Sequence, residues 1–154
     1  LPIYVYRPVK ATIQGVEAEG TFSLGRVGPG RLDLDLRVDF LRGTNEDDDR
    51  PLPRISPVRF GGGVVYDADR WNARLDVLRV QEQDRVAADE LPTDGYTMLD
   101  LTLAWRLTQG RYGMTAFLRG TNLLDEDARN HVSFLKDIAP MGKRGVTLGV
   151  RGTF

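Results

Sequence analysis

The sequence predicts an all-β fold, an antiparallel up-and-down meander of about seven strands with a candidate eighth, and three observations carry that prediction. Apolar residues recur at every second position almost from end to end, and the longer period of a helix is hard to find. The alternating segments are separated by clusters of turn-forming residues. Short and long connections follow one another in strict alternation along the chain.

The first strand is expected near residues 10–24, where Val16, Ala18, Phe22 and Leu24 alternate with Glu17, Glu19 and Thr21. The second, near 31–43, is the clearest: Leu32, Leu34, Leu36, Val38 and Phe40 are interleaved with Asp33, Asp35, Arg37 and Asp39. The third, near 57–67, sets Val58, Phe60, Val64 and Tyr66 on one side. Its glycines Gly61, Gly62 and Gly63 lie inside the alternation, where glycine marks a bend or the close approach of a neighbour rather than a phosphate loop. Trp71, Ala73, Leu75 and Val77 define a fourth strand near 71–84, and Leu99, Leu101, Leu103, Trp105 and Leu107 a fifth near 96–107. In the sixth, near 112–122, Met114, Ala116 and Leu118 share a side and Phe117 points the other way. Phe117 is expected to pack against a plug or a loop, or to mark a bulge that shifts the register. Val146, Leu148, Val150 and Phe154 form a seventh near 145–154, and Leu1–Pro8, bracketed by prolines, is the candidate eighth.

The tight connections are Gly25–Gly30, Asp67–Arg70 and Thr108–Arg111, whereas 43–57, 80–95 and 122–140 are long and charged. Tight turns at one end and long loops at the other are the layout of a transmembrane β-barrel. A soluble β-sandwich shows the same period, with its apolar face turned inward. Three features favour the barrel. The polar faces carry acids and arginines side by side. Several strands reach the roughly 9–11 residues that cross a bilayer. Tyr66, Trp71, Tyr96, Tyr112 and Phe154 fall at strand ends, where interfacial girdles sit. Charge is balanced, 21 Lys and Arg against 22 Asp and Glu, which argues against a nucleic-acid partner. Without cysteine there is neither a disulfide framework nor a thiolate metal site.

The run "FLRGTNLLDEDARNHVSFLKDIAPMGKRGVTLGVRGTF" resembles the carboxyl-terminal end of a TonB-dependent outer-membrane receptor. The penultimate strand leaves through Thr121-Asn122-Leu123-Leu124-Asp125, and the chain returns through Gly142-Lys143-Arg144 into a last strand that stops on an aromatic residue. "IQGVEAEG" and "PLPRISPVRFGGGV" are similar to upstream strands of the same receptors, and "ARNHVSFLKDIAP" looks closest to their zinc-uptake branch, which includes haem-associated members. The resemblance implies that residues 1–154 are the C-terminal portion of a receptor barrel, with the plug domain and the N-terminal strands lying elsewhere. It also implies a bacterial outer-membrane location, energy coupling through a TonB protein, and zinc or haem as cargo rather than as a permanently bound cofactor. An eight-stranded structural or adhesive barrel and a soluble β-sandwich binding module are the alternatives.

No Ser/His/Asp arrangement, cysteine nucleophile or phosphate loop is present, so no enzyme is expected. His131 is the only histidine. Asp125, Glu126, Asp127 and Asp137 lie near it in sequence, and imidazole with carboxylates is a common zinc donor set. His131, Asp125, Glu126 and Asp137 are therefore the candidate metal ligands on the last long loop. Three or four converging ligands are what a zinc site needs. The acidic run Glu46–Asp49 reads as a solvated loop tip.

Overall fold

A computed structural model describes residues 8–108 and 113–153. The strands are β1 (Ala11–Val27), β2 (Gly30–Asn45), β3 (Arg50–Pro51), β4 (Arg59–Asp67), β5 (Trp71–Val80), β6 (Tyr96–Thr108), β7 (Gly113–Thr121) and β8 (Gly145–Thr153). They form one sheet in the order β1-β2-β4-β5-β6-β7-β8, every neighbour antiparallel, with the two-residue β3 folded back on the end of β2. Each of the seven expected strands is present. The eighth is the short β3 ribbon, while the candidate at Leu1–Pro8 lies almost wholly outside the described residues, as do Tyr112, Phe154 and most of the Thr108–Arg111 turn.

Two boundaries differ from expectation by three or more residues, for identifiable reasons. β1 runs on to Val27 because an extra residue between Ser23 and Gly25 is absorbed as a bulge, leaving only Gly28-Pro29 as the turn. Gly28 has φ 58°, and a glycine with positive φ ahead of a second turn residue suits the tight hairpin whose twist matches its strands. β5 stops at Val80 rather than near residue 84, since Gln83 pairs instead with Thr93 in an isolated bridge.

The register lines up the two faces. One row runs Phe22, Leu34, Val64, Leu75, Leu101, Gly120 and Val146 across the whole sheet. The opposite face carries Thr21, Asp35, Gly63, Asp76 and Asp100 in register. No second sheet covers the apolar face among the described residues, and Phe22, Leu36, Phe60, Leu75 and Leu148 stand open on it. A soluble sandwich would bury that face against a partner sheet; here the face is the outer wall of a barrel, built to meet lipid.

At the long-loop end the polarity of the faces inverts, and no bulge accompanies the change. Beyond Phe40, Val77 and Leu99, the apolar-face positions hold Arg42, Arg79 and Thr97. On the opposite face Leu41, Leu78, Val80, Tyr96 and Met98 replace the charges. A wall leaving the bilayer behaves in this way, because its outside now meets water and its inside can be covered by loops. Val80, Tyr96 and Ala128 form the buried core, with Leu78 and Met98 against it. Tyr96 is thus only 8% exposed inside the mouth, where its hydroxyl donates to Met141 Sδ at 3.8 Å, and it is not the girdle residue that its strand-end position suggested. At the opposite end Tyr66 and Trp71 do stack, centroids 4.6 Å apart, in the expected girdle.

Phe117 keeps its charged-face position without a bulge in β7. It lies across Gly149 of β8, where a Cβ would come within 2.4 Å of the ring. The glycine on the neighbouring strand makes a seat for the aromatic, which accounts for both residues. Gly63 works similarly: an added Cβ there would fall 2.6 Å from Asp76 Oδ1, so the glycine leaves room for the Arg74 ion pairs.

Candidate functional site

Three long connections meet over the mouth: 46–58 after β2, 81–95 after β5 and 122–144 after β7. The last is shaped by the residues that carry the family resemblance. Asn122 is buried, with φ 48°, a left-handed conformation that asparagine tolerates better than most residues. Its Nδ2 donates to the Glu126 and Gly142 carbonyls, each at 3.0 Å, and its Oδ1 accepts from Glu126 N at 3.0 Å. One amide therefore ties the outgoing and returning ends of the loop together. Its own N–H donates to Asp100 Oδ1 at 2.8 Å, which fixes the loop base to β6. Asp125, also left-handed, accepts from Arg144 N at 3.0 Å and closes the base a second time.

The middle loop is folded by the Gln83–Thr93 bridge and anchored by Arg85, which donates to Gly43 O at 2.8 Å and Thr44 Oγ1 at 2.9 Å. Gln83 Nε2 donates to Ile55 O at 3.0 Å, linking it to the first loop. Glu90 then joins all three. It accepts from the backbone N–H of Arg54 at 3.0 Å and from Ala87 N at 3.3 Å. From the last loop it receives Lys136 Nζ at 3.2 Å and His131 Nε2 at 3.1 Å.

His131 is only 2% exposed, and both ring nitrogens are engaged. Nδ1 lies 2.9 Å from Thr93 Oγ1 and 3.4 Å from Lys136 Nζ. An ammonium offers only donors, so Nδ1 must accept and the ring proton sits on Nε2, facing Glu90. Burial, reinforced by the Lys136 charge, holds the His131 pKa below its ordinary value, and the attraction of Glu90 and Asp137 does not reverse this. Burial works against the Glu90 charge too. Its bonds from Ala87, Lys136 and Arg54 outweigh that effect and keep the carboxyl below the usual range. Lys136 completes its coordination on Leu91 O at 2.5 Å, and among the described residues no buried side-chain polar atom lacks a partner.

The four residues singled out from sequence are distributed over different tasks. His131 sits in the clamp. Asp125 closes the loop base, Glu126 meets Asn122 through its backbone, and Asp137 lines a mixed polar and apolar cavity of about 500 Å³ between the loops. No hydrogen bond or ion pair joins His131 to the other three among the described residues, although Asp137 is within electrostatic reach of it. Nor do the described residues contain a group of three or more His, Asp or Glu side chains arranged to hold a metal ion. Glu90, the hub, was not among the sequence candidates. No local spacing marks it, since its partners other than Ala87 lie on other loops.

The same cavity is roofed by Phe134, 79% exposed, with the Arg54 guanidinium 3.2 Å from its ring centroid. Arg54 has φ 58°, and Glu90 holds its N–H in that unusual conformation. Below the mouth the charged face is laced by ion pairs: Arg74 reaches Asp35 at 2.6 Å and Asp76 at 2.7 Å, and Arg59 pairs with Asp39. This is the charge-lined lumen wall that the alternation predicted. The acidic tip is partly neutralised, Glu46 pairing with Lys10 at 3.1 Å and accepting a hydrogen bond from the Thr12 hydroxyl.

Residues 2–123 match the family described as TonB dependent receptor-like, beta-barrel. Among solved structures, a protein named "Copper transporter OprC" superposes with a TM-score of 0.80 at 26% identity, over 92% of this chain and 23% of that one. This chain thus spans about a quarter of that transporter's length. With strands, register, charged lumen wall and family match in agreement, the chain belongs to the TonB-dependent receptor β-barrel family of the bacterial outer membrane.

Proposed function

We propose that this chain supplies barrel wall and three outer loops to an energy-coupled uptake receptor for a metal ion or metal chelate. A plug domain and a TonB protein would act through regions beyond residues 1–154. The observation that carries this reading is the clamp itself. Glu90 draws the loops at 46–58, 81–95 and 122–144 into one unit over the lumen. A barrel of purely structural role has no need to fuse its outer loops over its lumen; a receptor that must shape a mouth around cargo does. The similarity to a copper transporter supports a metal as the class of cargo. Zinc or haem is the narrower expectation, drawn from the 128–140 segment. The test is uptake of radiolabelled zinc, of copper and of haem by cells carrying or lacking the complete gene. Energised uptake of one of them, lost on deletion and abolished by a protonophore, is expected. Equal uptake of all three in both strains would overturn the proposal.

Within this proposal Asp137 is the one of the four that lines the cavity between the loops, beside Asp89 and Glu90, with His131 in the clamp and Asp125 and Glu126 at the loop base. A divalent ion on His131 would have to displace Lys136 or Thr93 at Nδ1, or take over Glu90 at Nε2. Zinc titration into the intact receptor and its His131→Ala variant separates the roles. Equal affinities would restrict His131 to holding the loops.

A further inference from the structure

The cavity of about 500 Å³ between the loops is lined by charges that the clamp does not use. Glu90 and Lys136 are committed to each other and to His131, and Arg50 pairs with Asp48 at 3.8 Å. Among the described residues three charged groups of the lining are left: Arg54, Asp89 and Asp137. Glu90 holds the backbone N–H of Arg54, but the guanidinium meets no carboxylate and rests only on the Phe134 ring. Asp89 and Asp137 make no ion pair and no side-chain hydrogen bond among the described residues. Arg54, Phe134 and both aspartates are exposed, so the groups are open to a molecule arriving from outside. The rest of the wall is largely apolar, from Pro51, Leu52, Ala87 and Leu91. Small-molecule sites usually span roughly 300–1,000 Å³, with apolar walls and a few convergent polar groups.

Two simpler cargoes suit this lining poorly. A bare divalent ion would meet the positive charges of Arg50, Arg54 and Lys136, and the described residues bring no three metal donors together. A flat macrocycle whose only charges are carboxylates matches Arg54 and Phe134 but sets like charge against Asp89 and Asp137. We infer that the cavity is a subsite for a zwitterionic metal chelate, in which an amino-acid or peptide ligand surrounds the ion. A free carboxylate of the chelator sits on Arg54, a free ammonium faces Asp89 and Asp137, and a planar or apolar face lies against Phe134. Arginine suits the carboxylate, since its fork of donors matches both oxygens while the guanidinium stacks on an aromatic ring. The cavity's role as a cargo subsite rests on the uptake reading above, while the chelator's chemistry comes from the three uncommitted charges.

The probe is the copper(II) complex of glycyl-histidyl-lysine. Its terminal amine, first amide nitrogen and imidazole hold the metal, while the lysine ammonium and the terminal carboxylate stay free. Calorimetric titration into the complete receptor in detergent should show one site. Capping the carboxylate as an amide should weaken binding about tenfold, the measure of one charged hydrogen bond, and so should Arg54→Gln. Combined, the two changes should cost little more than either alone, because both remove the same contact. Acetylating the lysine should relate in the same way to a variant carrying Asp89→Asn and Asp137→Asn. Phe134→Ala should weaken every form of the probe. Heat-modifiable mobility on gels verifies that each variant is folded. Equal binding of the probe and its amide, or losses from Arg54→Gln and the amide that simply add, would overturn the site. So would haem or uncomplexed copper binding more tightly than the probe with the same dependence on Arg54. Energised uptake by a receptor that does not bind the probe would overturn the chelator's chemistry and leave the uptake reading standing. Probe binding that follows Arg54, in a receptor without energised uptake, would support the ligand site and overturn the uptake reading alone.

Discussion

His131 Nε2 lies 3.1 Å from Glu90 Oε1, and both side chains are almost wholly removed from solvent, 1% and 8% exposed. They belong to different loops and are held together with Lys136 and Thr93 in a fully paired polar cluster. Such clusters fix a single arrangement when every member is satisfied, and become costly when one is removed.

Removing the imidazole should therefore loosen the mouth without unfolding the wall. His131→Ala leaves Thr93 and one face of Glu90 without their partner, and should destabilise the loops by about 1–3 kcal/mol, the usual penalty for stranding a buried polar group. Hydrogen exchange in the complete protein should speed up within 81–95 and 122–144, while β4 to β6 stay protected. Unchanged loop protection would show that the clamp contributes nothing.

Acid should open the same loops in two stages. The His131 pKa is lowered in the folded loops from an ordinary 6.5, so the released state binds the proton more readily. Loop stability is complete above about pH 6.5 and declines as pH falls from there toward the depressed folded value. Protonation would place a second donor on Nδ1 against Lys136. Glu90, also lowered from its ordinary 4.5, adds a second loss as pH drops below that value through its folded pKa. Protease nicking of the outer loops, followed from pH 7.5 to 4, should rise first near pH 6. The first rise should vanish in His131→Ala, and a single rise confined to below pH 4.5 in the parent would contradict the scheme.

Asn122 should matter more than its size suggests. Asn122→Ala removes three bonds and places a Cβ-bearing residue without a compensating amide at φ 48°. The base of the last loop should lose about 2–4 kcal/mol. Asn122→Gly keeps the conformation but not the bonds, and should recover about 1 kcal/mol of that. Limited proteolysis within 123–144 ranks the three proteins.

The seating of Phe117 on Gly149 makes the two positions interdependent. Gly149→Ala forces the ring aside and should destabilise the β7–β8 edge by about 1–3 kcal/mol, as overpacking does. In a Phe117→Ala background the same change should be close to neutral. A double-mutant cycle by urea unfolding in vesicles measures the coupling, and additive effects would mean that the ring does not depend on the glycine.

Strand order, the assignment of faces and the location of the long loops were all readable in the chain. Period-two alternation is a local property, and in an up-and-down meander each strand pairs with the next, so local pattern and topology coincide. Asp33 to Asp39 on β2 announced the lumen wall, and Leu32 to Phe40 the lipid wall. The family motif around Asn122 was visible as letters, but its work was not: its amide reaches Gly142, 20 residues on. His131 drew notice as the only histidine, yet its partners Thr93 and Glu90 lie 38 and 41 positions away. Burial and partnership across loops depend on how the wall curves and where the loops come to rest. Those are sums of many weak long-range contacts, and no spacing along the chain encodes them.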